Sequence, residues 1–206
     1  MDVVYTYKSN GDSRELRYSL RSLKNIKHDK VYIIGDKEDW FKDIVHIPHK
    51  TNQTPFIDVL CKVEKACLSD VSDDFIMMND DFYITEPTDI EPLYREIPKP
   101  VSYHKRSVVK TLDYLNMKDA KNYELHAPMV FNKHKLQTII RRIRSHMLPI
   151  PIFYRTVYGN VYNIGGEFYE DKKSYRGEIP KGKFISTSRY FHWLDEMFPE
   201  KSEYEC

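Results

Sequence analysis

The chain has 206 residues, of which 41% are hydrophobic and 31% charged, with a formal net charge of +1. At this length one domain buries roughly 70% of its unfolded surface and needs no metal or disulfide staple, and the composition excludes a disordered tail or a collagen-like fibre. No apolar run approaches the roughly 20 residues that cross a bilayer. Strand-like residues begin at Asp2, leaving no room for a signal peptide. The three cysteines, Cys61, Cys67 and Cys206, give neither a disulfide framework nor a zinc spacing. The expectation is a cytoplasmic, reduced domain with no transmembrane segment.

Residues 2–7, DVVYTY, are β-branched and aromatic and predict a strand. After the turn residues KSNGD, Asp12 with Glu15 three positions on predicts a helix start. Leu16, Leu20, Leu23 and Ile26 then recur at helical spacing to about residue 27. KVYIIG (30–35) and DIVHIP (43–48) predict two further strands. Thr54-Pro55 opens a second helix, with Phe56, Val59, Leu60, Val63 and Cys67 on one face. Residues 74–84, DFIMMNDDFYI, predict an apolar strand interrupted by Asn79-Asp80-Asp81 and then resumed. Strands alternating with helices imply an α/β fold with a largely parallel sheet. Beyond it, 100–104 and 128–132 predict strands, 111–123 a helix, and 134–147 an amphipathic helix with Arg141, Arg142 and Arg144 off its apolar stripe. The glycine-punctuated run 158–167 is either a loop closing over a ligand or a tight β-turn.

The charge is unevenly spread. Residues 1–100 carry 14 Lys and Arg against 19 Asp and Glu, whereas residues 101–160 carry 11 against 3. The basic middle is either a solvated face or a surface for a polyanion such as DNA or an acidic glycan.

The segment from Phe75 to Ile84 is the most informative. Adjacent carboxylates beside a buried apolar strand are costly unless they are paired. They either form a charged turn or supply hard oxygen ligands to a divalent cation that holds a diphosphate at a strand's carboxyl end.

This strand, dyad and following aromatic residues resemble the aspartate motif of nucleotide-sugar glycosyltransferases of the GT-A fold. DVVYTY, ELRYSLRSL, VYIIGD and FIMMNDDFYI together resemble the first two conserved regions of the Stealth family, which contains capsular polysaccharide phosphotransferases. ELHAP (124–128) is similar to that family's His-Pro region, and FPEKSEYE (198–205) to the C-termini of related bacterial and phage glycosyltransferases. The loop after the first strand departs from the family's VDGSDP-like pattern and reads KSNGD.

The resemblance implies a single GT-A-like (Rossmann-like) domain, with residues 1–100 as the nucleotide-sugar half and 101–206 as the acceptor half. It implies that Thr6, Tyr7, Asn79 and Asp36 meet the nucleotide, and that Arg14 and Arg17 meet a phosphate unless they are solvated helix charges. Asp80 and Asp81 would ligate Mn²⁺ or Mg²⁺. His126 or His192 would complete the metal site or contact a phosphate, or be structural. Candidates for a general base are Glu124, Glu167 and Asp195, with Asp81 also catalytic. Three functions follow: transfer of a sugar from a nucleotide sugar (UDP-linked) to an acceptor hydroxyl, transfer of a sugar 1-phosphate as in the Stealth enzymes, or an inactive polyanion-binding module.

Overall fold

The computed structural model describes residues 1–50, 53–145, 151–187 and 189–206. In chain order they form β1 (Asp2–Tyr7), α1 (Arg14–Ser22) continued by a 3₁₀ turn (Leu23–Asn25), β2 (Val31–Gly35), β3 (Ile44–Pro48), α2 (Pro55–Cys67), β4 (Asp74–Met78) and β5 (Phe82–Ile84). There follow β6 (Leu93–Tyr94), α3 (Tyr103–Leu115), β7 (Met129–Asn132), α4 (Lys133–Ser145), α5 (Tyr154–Val161), β8 (Glu167–Phe168), β9 (Lys173–Ser174), β10 (Phe184–Thr187) and α6 (Trp193–Met197).

The main sheet has the order β3-β2-β1-β4-β7. Its first four strands are parallel and β7 runs antiparallel to β4. The fold is therefore α/β with a mainly parallel sheet flanked by helices, as the alternation of elements implies. Strands covered on both faces must be apolar throughout, and Val3, Val4, Tyr5, Ile33 and Ile34 are all fully buried. One face packs Val4, Ile34, Phe75 and Met77 against Leu60 and Val63 of α2 and Leu136, Ile139 and Ile140 of α4. The other packs Val3, Tyr5, Ile33 and Met78 against Leu16 and Leu20 of α1, with Leu23 and Ile26 continuing the stripe.

Strand order reverses direction between β1 and β4, and in open α/β sheets the crevice outside the carboxyl ends at such a point is where ligands bind. Tyr5 pairs with Met78 in register, so the turn after β4 lies beside the last residues of β1. Because β7 is antiparallel, with Met129 opposite Met77, residues 124–128 reach the same edge.

Several expectations are corrected. The resumed strand of 74–84 is two strands in two sheets: Phe82 N donates to Asn79 O (3.2 Å), which turns the chain, and β5 joins a second sheet of order β5-β10-β9. Residues 100–104 are not a strand. Ser102 Oγ accepts from Lys105 N (3.3 Å), capping α3, whose buried stripe is Ser107, Val108 and Thr111. The helix expected over 111–123 ends at Leu115, because Asn116 adopts a left-handed conformation (φ 50°) and its N–H closes on Leu112 and Asp113 carbonyls. The first helix starts after Ser13, whose hydroxyl accepts from Trp40 Nε1 and makes no cap, and Asp12 instead binds Arg14. Residues 158–167 begin inside α5. Gly159 is needed there because a Cβ would lie 2.5 Å from the Tyr123 ring. The expected helix over 134–147 is α4, and its last two residues fall outside the described residues. Among the described residues no helix is long and apolar enough to cross a membrane.

Gly35 ends β2 at φ 138°, and a Cβ there would lie 1.8 Å from the carbonyl oxygen of Tyr7. Gly35→Ala is expected to cost ~2 kcal/mol or more, since it combines a conformation L-residues avoid with a backbone clash. Urea unfolding of the variant against wild type checks this, and a change within about 0.5 kcal/mol would contradict the tight approach of β1 and β2.

Candidate active site

The acidic turn is held from below by α1. Ser19, fully buried, donates its hydroxyl to Phe82 O (2.7 Å) and lies 3.2 Å from Asn79 O, bracketing Asp80 and Asp81. With that proton spent, Tyr5 Oη donates to Ser19 Oγ (3.0 Å). One turn earlier on the same helix, Glu15 points a carboxyl oxygen, Oε1, into the protein with no hydrogen-bond partner. Burial, followed by the neighbouring charge of Asp81, pushes Asp80 up to about 6. Burial and the charges of Asp80 and Asp81 push Glu15 up to about 7. Asp80 and Glu15 thus both give up their protons less readily than free carboxyls do.

The cation nearest to them is Lys173, whose Nζ donates to Asp81 Oδ2 at 2.8 Å. Two residues upstream, Asp171 accepts from the His126 backbone N–H (2.9 Å), pairs with His126 Nδ1 (2.7 Å) and binds Arg95. Burial alone would raise Asp171, but the hydrogen bonds and charge of His126, with Arg95, hold it below the usual carboxylate range. The imidazole of His126 also packs edge-on to Phe82 (6.1 Å between ring centres), so the ELHAP segment is fixed against the acidic turn. His104 at the start of α3 belongs to the same neighbourhood: burial, then the charges of His126 and Arg95, lower its pKa.

Of the expected nucleotide residues, Asn79 lies in the acidic turn, and Thr6, Tyr7 and Asp36 lie at the carboxyl ends of β1 and β2. Thr6 is half-buried opposite Ile34. Tyr7 Oη donates to Glu38 (2.6 Å), and Asp36 accepts from Ser9 N (2.9 Å), closing the KSNGD loop onto the end of β2. Lys62, almost fully buried, reaches up from α2 to Tyr7 O (2.9 Å) and Asp58 (2.8 Å), so this rim is also fixed from beneath. Of the two arginines, Arg14 is exposed and Arg17 half-buried. Arg14 pairs with Asp12 and stacks on Tyr190 (4.0 Å). Arg17 pairs with the buried Glu205 (3.2 Å) and stacks on Trp40 (4.0 Å).

Glu124, in the same ELHAP segment, is engaged at the start of α5, where it accepts from Thr156 N and Oγ1 (both 3.2 Å), and burial raises its pKa. The remaining candidates lie apart. Glu167 is exposed on β8 and lines a separate recess with Pro92, Gly166 and Lys181. Asp195 accepts hydrogen bonds from Tyr18 and Tyr190, which lower its pKa, and His192, 95% exposed, is paired only loosely with it (3.7 Å). In the basic segment, Arg144 pairs with Glu64 and Arg142 donates to Tyr114 Oη (3.1 Å), while Arg141 is exposed. Glu15, Asp171, Lys173 and Arg95 are the residues sequence reasoning missed. A signal was present only for Glu15, which lies four residues before Ser19 on the helix face that touches the turn.

The residues fit a divalent cation in donor chemistry. Asp80 and Asp81 offer hard oxygens, and the unpartnered Glu15 oxygen lies beside them. Among the described residues no group of three or more His, Cys, Asp or Glu side chains is arranged to hold a metal ion.

The raised carboxyls set a pH dependence. Each binds its proton more tightly folded than unfolded, so the stability they cost grows as pH rises from the ordinary carboxylate range to about 7 and is complete above it. Glu15→Gln is therefore expected to melt close to wild type at about pH 4 and above it at about pH 8. A difference in melting temperature that does not change with pH would contradict the cluster's electrostatics.

No protein-family model matches the sequence, nor does any curated protein. Among solved structures, the apo form of the glycosyltransferase GlyE from Streptococcus pneumoniae TIGR4 matches with a TM-score of 0.48 at 11% identity, covering 82% of this chain and 44% of that one. A second GlyE structure matches at 0.47 and 12% identity, covering 82% and 45%. The 4-diphosphocytidyl-2C-methyl-D-erythritol synthase of Anaerococcus prevotii DSM 20548 matches at 0.44 and 11% identity, covering 82% and 85%. The chain thus spans less than half the length of the GlyE chains. Its α/β architecture rests on its own strand order and helix placement.

Proposed function

We propose that this chain is a GT-A-like transferase that binds a nucleoside diphosphate sugar across the carboxyl ends of β1 and β4 and passes the sugar to an acceptor hydroxyl. The observation that carries the reading is the Asn79–Asp81 turn at the strand-order reversal, a partly buried carboxylate cluster with too little positive charge of its own. The base and ribose would lie along Thr6, Tyr7 and Asp36, with the diphosphate towards Asp80 and Asp81. A divalent cation on Asp80 and Asp81 would neutralise the diphosphate as it leaves.

This chain's own residues do the rest. Ser19, backed by Tyr5, holds the backbone of the turn that carries both carboxylates. Asp171 grips both the backbone and the ring of His126, leaving Nε2 as the nitrogen that can face a phosphate or an acceptor. The resemblance to the Stealth enzymes raises the second reading, in which the sugar leaves with its phosphate attached, and the ELHAP placement beside Phe82 favours keeping it.

Calorimetry with UDP separates the reading from its alternatives. Binding is expected with Mn²⁺ and is expected to fall at least tenfold in EDTA, the loss of about 1.4 kcal/mol or more. Asp81→Asn is expected to bind UDP in Mn²⁺ no better than wild type does in EDTA, with its melting temperature unreduced. Equal UDP affinity in both conditions would overturn the metal role. Incubation with a panel of nucleotide sugars identifies the reaction: nucleoside diphosphate is the expected by-product, and monophosphate would establish sugar-phosphate transfer instead.

A further inference from the structure

Lys173 and Asp81 are both part-buried, with side chains 15% and 21% exposed, and their ion pair spans 92 residues of sequence. The charge around the pair does not balance. One ammonium faces Asp81, with Asp80 adjacent and Glu15 close enough for its charge to be felt, and Lys62, the other nearby ammonium, is engaged by Asp58 and Tyr7 O.

The backbone beneath Lys173 is fixed on both sides. It pairs with Ser186 in β10, and Asp171, two residues earlier on the same extended stretch, is tied to His126 and Arg95. The side chain is a four-carbon stem ending in a compact charge, able to swing while its backbone stays in place. Opposite it in register, Ser186 has a buried hydroxyl with no partner.

We infer that Lys173 is the resident counter-cation of Asp81: it occupies the carboxylate until a divalent cation displaces it, and its freed ammonium then serves the diphosphate of the donor. The inference rests on the reading of Asp80 and Asp81 given above. On this account Lys173 weakens metal binding in the empty protein and strengthens nucleotide binding once the metal is in place, whereas a purely structural ion pair would do neither.

The test is a Mn²⁺ titration of the full chain, read by the electron paramagnetic resonance signal of free Mn²⁺, for wild type, K173M, K173R and D81N. K173M is expected to bind Mn²⁺ roughly three- to tenfold more tightly, the range for losing a competing part-buried ion pair. In saturating Mn²⁺ it is expected to bind UDP more weakly than wild type. K173R, whose guanidinium grips a carboxylate with two parallel bonds, is expected to bind Mn²⁺ more weakly than wild type, and it carries the test if K173M does not fold. Mn²⁺ affinity unchanged or weakened in K173M, or unchanged in K173R, overturns the inference. If D81N has lost Mn²⁺ binding in that case, the metal reading stands without it. If wild type and K173M both fail to bind Mn²⁺ even with UDP present, the metal reading falls and the inference with it.

Discussion

Two aspartates follow, after a single asparagine, a strand whose last four residues are buried, and the cost of keeping their charges there organises the structure around them. The chain meets that cost in parts. Ser19, backed by Tyr5, bonds the turn's backbone carbonyls from below, Lys173 approaches Asp81 from the second sheet, and Asp80 and Glu15 hold protons more readily than free carboxyls do. What is left is a shortage of positive charge at the mouth of the crevice, and a bound cation and its anionic ligand would relieve it together.

The rest of the fold serves this arrangement. The strand-order reversal opens the sheet's carboxyl edge between β1 and β4, where both core faces end. The antiparallel β7 brings His126 to that edge, and the short sheet β5-β10-β9 closes the far side by presenting Asp171 and Lys173 from one extended stretch. A segment three residues long, 171–173, thereby couples the His-Pro loop to the acidic turn. On the nucleotide side, Lys62 and the contact of Gly35 with Tyr7 fix the ends of β1 and β2.

Much of the fold was legible because its signals are local. Strands such as VYIIG are continuous apolar runs, and Leu16, Leu20 and Leu23 mark a helix face by spacing alone. The misread stretches lack that signal. The buried stripe of α3 includes Ser107 and Thr111, which read as polar, and α5 carries a glycine that only the Tyr123 ring explains. The site divides the same way. Asp80 and Asp81 stand out against the apolar run before them, but Asp171 lies 45 residues from His126 and Lys173 92 residues from Asp81, so no sequence window contains both partners. Glu15 matched a helix-capping pattern, and only the packing of α1 beneath the turn shows that its carboxyl faces the dyad instead.

The most direct measurement is a crystal structure of the full chain with Mn²⁺ and UDP, with the metal located by its anomalous scattering. The account requires the anomalous peak at the Asp80 and Asp81 carboxylates, with diphosphate oxygens completing its shell and Lys173 no longer on Asp81. A nucleotide bound elsewhere on the chain, or bound at this edge with Lys173 still paired to Asp81 and no anomalous peak beside it, would contradict the account.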